Sequence, residues 1–137
     1  MSDARIKPPG TGRSIWAVLA GFLIIVILSI GTGIVLPATG IFPLGRMADS
    51  LFALVTSYRF LYAILGSYIA ARMAPRRPMA HALILGVIGV IFAVFGAFAT
   101  AGSGPGWYPL SLIVISLPAG WLGGLIGARE TRLTKNP

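Results

Sequence analysis

LFALVTSYRFLYAILGSYIAARMAPRRP, residues 51–78, is the stretch that decides what kind of fold this chain has. From Leu51 to Ala71 it runs 21 residues with one charge, Arg59. At about 1.5 Å per residue that is enough helix to cross a hydrocarbon core of ~30 Å. Directly behind it stand Arg72, Arg76 and Arg77, a basic cluster that resists transfer across a bilayer and so predicts that this end stays in the cytoplasm. A membrane span of known direction sets the direction of every other span.

Working outward, three more uncharged runs appear: Ile15 to Leu36, Ala82 to Ala101 and Tyr108 to Ala128. The fold class expected is therefore all-α, a polytopic membrane protein in the form of an antiparallel four-transmembrane-helix bundle, with spans at about 15–36, 51–73, 80–101 and 108–128 within a transmembrane domain of 15–128. Residues 1–14 read as a basic cytoplasmic tail and 129–137 as a second one. The first run follows a basic segment as a signal peptide would, but it exceeds the ~7 to 15 residues of a signal core, so it is read as an uncleaved first helix. Trp16 anchors its cytoplasmic interface and Pro37 is expected to end it on the far side. The stretch from Pro37 to Ser50 then forms the longest loop.

The distribution of charge tests this topology. Of eleven Lys and Arg residues, nine (Arg5, Lys7, Arg13, Arg72, Arg76, Arg77, Arg129, Arg132 and Lys135) fall in the segments assigned to the cytoplasm, leaving only Arg46 outside and Arg59 within a span. Both termini are thus expected in the cytoplasm, with Arg72, Arg76, Arg77, Arg129 and Arg132 as the topology determinants. A net charge of +8 could suggest nucleic acid, but these residues flank apolar runs instead of gathering with aromatics on a soluble face, so the expected partner is the lipid bilayer.

The two hairpins also resemble each other. Gly21 and Gly31 match Gly86 and Gly96 at one spacing, GIFPL at 40–44 matches GWYPL at 106–110, and Gly66, Ala71 and Arg72 match Gly123, Ala128 and Arg129. Both hairpins begin on the same side, which makes this a candidate parallel repeat about an axis along the membrane normal.

Two constellations invite a functional reading. Gly120, Gly123, Gly124 and Gly127 form overlapping small-xxx-small pairs, a helix-association face that would serve either packing within the bundle or a homodimer seam. Arg59, flanked by Tyr58 and Tyr62, is the one ionisable side chain within a span. It would either snorkel to the outer headgroups or turn inward, toward Tyr62, a bound anion or the Val114 carbonyl that Pro118 cannot engage. Tyr58, Arg59, Tyr62 and Pro118 are therefore the candidate ligand or packing site. His81 has no second ligand at metal spacing, the chain has no cysteine, and its only carboxylates are Asp3, Asp49 and Glu130, so neither a catalytic set, a metal nor a cofactor is expected.

From TSYRFLYAILGSYIAARMAPRRPMAHALILGVIG through GPGWYPLSLIVISLPAGWLGG the chain resembles a family of small uncharacterised proteobacterial four-helix inner-membrane proteins, through its Y-R, A-A-R-x-A-P-R-R-P-M-x-H-A and W-Y-P motifs. The resemblance implies a bacterial inner membrane and no particular activity. In size the chain is similar to small multidrug transporters and fluoride channels, but it lacks the glutamate in helix one of the former and the membrane asparagines of the latter. The function expected is non-enzymatic and exerted through helix contacts, as a homodimer, a larger homo-oligomer or an accessory subunit of a membrane complex. The alternative is a small-solute or ion transporter or channel with a path near Arg59 and Pro118.

Overall fold

A computed structural model describes residues 11–40, 48–99, 101, 102 and 104–135. They form four helices, α1 (Thr11–Ala38), α2 (Asp49–Met73), α3 (Pro78–Ala99) and α4 (Trp107–Lys135), and no strand occurs among them. Each helix is long and apolar enough to cross a membrane. The chain is built as a multi-pass membrane helical bundle.

The connections follow from local chemistry. Pro78 opens α3, where a missing N–H costs nothing, and the preceding Arg77 accepts the first backbone bond from Ala80 at 3.0 Å. Gly102, at φ +85°, turns the chain after α3 in a left-handed conformation that a β-carbon would disfavour. The 41–47 stretch, which holds half of the expected longest loop and all of the GIFPL motif but Gly40, lies outside the described residues, as do the first ten residues of the expected tail.

Three boundaries differ from the sequence reading. Helix α1 begins at Thr11, inside the expected tail, and passes through Pro37 to Ala38. Proline costs little so near a C-terminus, because the next donor, the Thr39 N–H, still reaches the Val35 carbonyl at 3.0 Å. Helix α4 continues to Lys135, so the expected tail at 129–137 is largely helical. It is held by Glu130, which bonds to α2, and by the Thr131 hydroxyl, which donates to the Gly127 carbonyl at 2.8 Å.

Register shows how the helices run. Between α2 and α4 the partners keep a nearly constant separation, Phe52 with Tyr108, Thr56 with Ser111 and Ala71 with Gly127, so these two helices are parallel. Between α1 and α2 the numbers instead move oppositely, Gly21 meeting Gly66 and Thr32 meeting Tyr62, so each hairpin is antiparallel. Helices α2 and α4 form the central contact, α1 packs on α2, and α3 packs on α4 and more lightly on α2. Helix α1 meets α3 only slightly, and among the described residues it does not reach α4. Parallel α2 and α4 flanked by α1 and α3 is the arrangement a parallel repeat would have. The match of Gly66 to Gly123 is nevertheless not one of equivalent contacts, since Gly66 faces α1 of its own hairpin whereas Gly123 faces α2 of the other.

Small residues make the core. Ala17, Ala70, Ala71, Ala82 and Ala119 are fully buried, while Phe95, Phe98 and Ile34 face outward. Lipid gives large apolar side chains no reason to hide, so close backbone approach supplies the cohesion instead. Most buried positions lie in the half of the bundle that carries Arg13, Arg72, Arg77 and Arg129, here termed the basic end. The other half is looser.

Candidate functional site: an intramembrane cleft headed by Arg59

Because α1 stands away from α4 and most buried positions lie toward the basic end, the looser half contains a cleft of about 480 Å³. Helix α3 makes room for it with Gly86, Gly89 and Gly96 and lines it from Leu85 to Ala97, about 18 Å at the helical rise. Phe22 and Phe92, with ring centroids 5.2 Å apart, bring α1 and α3 together beside it. Most of the remaining wall is apolar.

Arg59 lines the cleft ten positions into α2, about 15 Å along the helix from Asp49. It is exposed, and among the described residues it has neither a hydrogen bond nor an ion pair. Tyr108 shares the cleft and lies within electrostatic reach of the guanidinium. Its ring is fixed by Phe52, 5.0 Å away between centroids. Pro109, next in the W-Y-P motif, also lines the cleft and sits in the first turn of α4, where no intrahelical donor is required.

Hydroxyls complete the site. Thr32, Thr56, Ser57, Ser116 and Thr131 each donate to the carbonyl four residues earlier, the usual way of hiding a hydroxyl in a membrane helix. Ser29 and Ser67, both in the cleft wall, make no hydrogen bond among the described residues, although Ser67 is only 2% exposed.

Arg59 lines the cleft, while the residues offered as its partners lie elsewhere. Tyr62 is turned to α1, 2.6 Å from the Thr32 hydroxyl. Thr32 spends its own proton on the Leu28 carbonyl, so Tyr62 is the donor. Tyr58 packs its ring on Tyr62 at 5.4 Å. Pro118 is exposed and does not line the cleft, and Val114 is 68% exposed, so the proline break lies away from the site. A single residue separates the cleft-facing and α1-facing sides of α2, and a linear sequence does not mark that division.

The glycine face of α4 is consumed inside the bundle. A β-carbon on Gly124 would stand 2.7 Å from the Ala82 β-carbon on α3, and one on Gly123 would stand 2.7 Å from the Ser67 β-carbon on α2. Gly120 lies against Ala82 and Gly86, and Gly127 against Ala71, so the four glycines alternate between two neighbours and offer no homodimer seam.

Comparison with protein-family models, curated proteins and solved structures finds no match.

At the basic end, Arg72 and Glu130 form an ion pair, the Tyr68 hydroxyl donates to the same carboxylate at 2.5 Å, and Arg72 lies 5.9 Å from the Tyr68 ring centre. The sequence reading missed this set. Its signal was the spacing of Tyr68 and Arg72, four apart and so on one helix face, but the partner on α4 is evident only from the parallel register. Arg77 and Arg132 flank a second cavity of about 560 Å³, while Arg76 and Arg129 are exposed. His81 turns Nδ1 to the Arg77 carbonyl at 3.0 Å. Neither histidine nor carboxylate lines the Arg59 cleft, which offers one cation, several hydroxyls and a long apolar wall.

Proposed function

We propose that this chain is a non-enzymatic bacterial inner-membrane protein, with both termini cytoplasmic, that binds an anionic ligand in the cleft between its helices. The observation that carries the reading is Arg59: a permanent cation within a membrane helix, lining a cavity, with no hydrogen bond or ion pair among the described residues. Such a charge is costly at membrane depth unless something compensates it, and intramembrane ionisable groups mark ligand or ion paths. The distribution of Lys and Arg supports the orientation, and the resemblance of the Y-R and W-Y-P segments to small proteobacterial membrane proteins supports the inner membrane. Action through the α4 glycines loses its support, since those residues are occupied within the bundle.

The test is anion binding by the full chain in zwitterionic nanodiscs, read as thermal stabilisation. The parent should be stabilised by at least one class of organic anion, saturably, and Arg59→Gln should abolish the effect. Equal stabilisation of parent and variant by every anion tried would overturn the proposal.

A further inference from the structure

The cleft is shaped for more than an isolated anion. It extends about 18 Å along α3 but has a volume of only about 480 Å³, so it is long and narrow. One end carries Arg59 and Tyr108, and the wall running toward Phe22 and Leu85 is hydrocarbon and glycine apart from Ser29, Ser67 and Ser116. A compact hydrophilic solute would leave that wall facing water. Beside it α1 meets α3 only lightly and never reaches α4 among the described residues, which leaves a side of the cleft accessible from the lipid.

The second observation is the pair of free hydroxyls. Ser67 lies eight residues beyond Arg59 on α2, about 12 Å deeper, and is almost wholly buried yet has no hydrogen bond among the described residues. Ser29 on α1 is also unpaired and stands at a neighbouring level, between the contacts of Ile25 with Gly66 and of Thr32 with Tyr62. No side-chain oxygen among the described residues is both sealed off and unpartnered, so the Ser67 hydroxyl opens onto the cleft, and neither serine makes the back-bond to its own helix that Thr32, Thr56 and Ser116 make. Both hydroxyls are free to bond a ligand there.

We infer that the ligand is a single-chain anionic amphiphile whose acid group sits at Arg59 and Tyr108 and whose hydrocarbon chain runs toward Leu85, carrying a hydrogen-bonding oxygen near mid-chain at the level of Ser67 and Ser29. The inference rests on the anion-binding reading above and narrows its ligand. A guanidinium suits either a carboxylate or a phosphate monoester, so a free acid and a bilayer-derived lysophospholipid share the required chemistry.

The experiment measures displacement of a radiolabelled stearate hydroxylated near mid-chain from the full chain in zwitterionic nanodiscs. The expected result is saturable binding, about fivefold tighter than unsubstituted stearate, as one added hydrogen bond would give. Stearyl alcohol of the same length should fail to compete, for lack of charge. Ser67→Ala should erase the preference for the hydroxylated chain, and Arg59→Gln should weaken binding of both chains by tenfold or more. Displacement by mid-chain-hydroxylated lysophosphatidate as effective as that by the free acid would assign the source to the bilayer; failure to displace would assign it to free acids. Acetate or inorganic phosphate binding at Arg59 while neither stearate does would overturn the amphiphile and leave the anion site standing. Equal affinity of hydroxylated and plain stearate would also overturn the inference. Binding of no anion of any kind would remove both readings together.

Discussion

Gly66 of α2 lies so close to Gly21 of α1 that a β-carbon on Gly66 would stand 2.7 Å from the Gly21 carbonyl oxygen. Both residues are buried, and the rest of the first hairpin closes around this point. Gly66→Ala should therefore force the helices apart and lower stability by about 1–3 kcal/mol, the usual cost of overpacking. Gly31→Ala and Gly33→Ala, where a β-carbon meets nothing within 4 Å, should be neutral or stabilising by up to about 1 kcal/mol. Denaturant titration of the three variants in detergent would check the contrast, and equal losses would contradict the packing described.

On α4, Gly123→Leu and Gly124→Leu should each unfold the bundle, because a leucine at either site must enter space held by Ser67 or Ala82. Size-exclusion chromatography with light scattering separates the alternatives. A folded monomer replacing a parent dimer would place these glycines between subunits instead.

Arg59 has no hydrogen bond or ion pair to lose among the described residues. Arg59→Leu should accordingly leave the ligand-free protein as stable as the parent or raise its melting temperature, since no polar partner is stranded and a charge is removed from the membrane. The same variant should lose anion-dependent stabilisation. Tyr62→Phe differs: it removes the 2.6 Å bond to Thr32 and should cost about 1 kcal/mol with or without ligand.

The Arg72–Glu130 pair joins α2 to α4, but the two side chains are 41% and 43% exposed. Glu130→Gln should therefore destabilise by no more than about 1 kcal/mol, and high salt should shrink the difference. A salt-independent loss of several kcal/mol would mean that the pair is shielded by lipid headgroups.

Topology is open to direct measurement. Reporters fused after Gly45 and Gly104 should signal the outside, and those after Arg77 and Lys135 the cytoplasm, because nine of eleven basic residues group with the latter pair. A cytoplasmic signal after Gly104 would overturn the orientation.

Four spans, their order and the clustering of basic residues were all legible in the sequence, because uninterrupted apolar length is a local property that twenty consecutive residues can display. The helix ends were less so: Thr11–Ser14 and Arg129–Lys135 are mostly charged or polar, yet they continue helices, since helix needs no hydrophobicity once a neighbouring turn and a partner such as Arg72 support it. Which way a side chain faces was not legible at all. Tyr58, Arg59 and Tyr62 are neighbours in the chain, but the helix sends Tyr62 to Thr32 and Arg59 to the cleft, and Pro118 lies away from both. The apolar pattern of a membrane helix runs around its whole circumference, so composition carries no rotational signal, and only the contact of one helix with another sets the angle. Sequence alone determined four helices long and apolar enough to span a membrane, with one arginine inside them; tertiary packing, by drawing the α4 glycines inward and leaving α1 apart from α4, decided that the arginine heads a cleft.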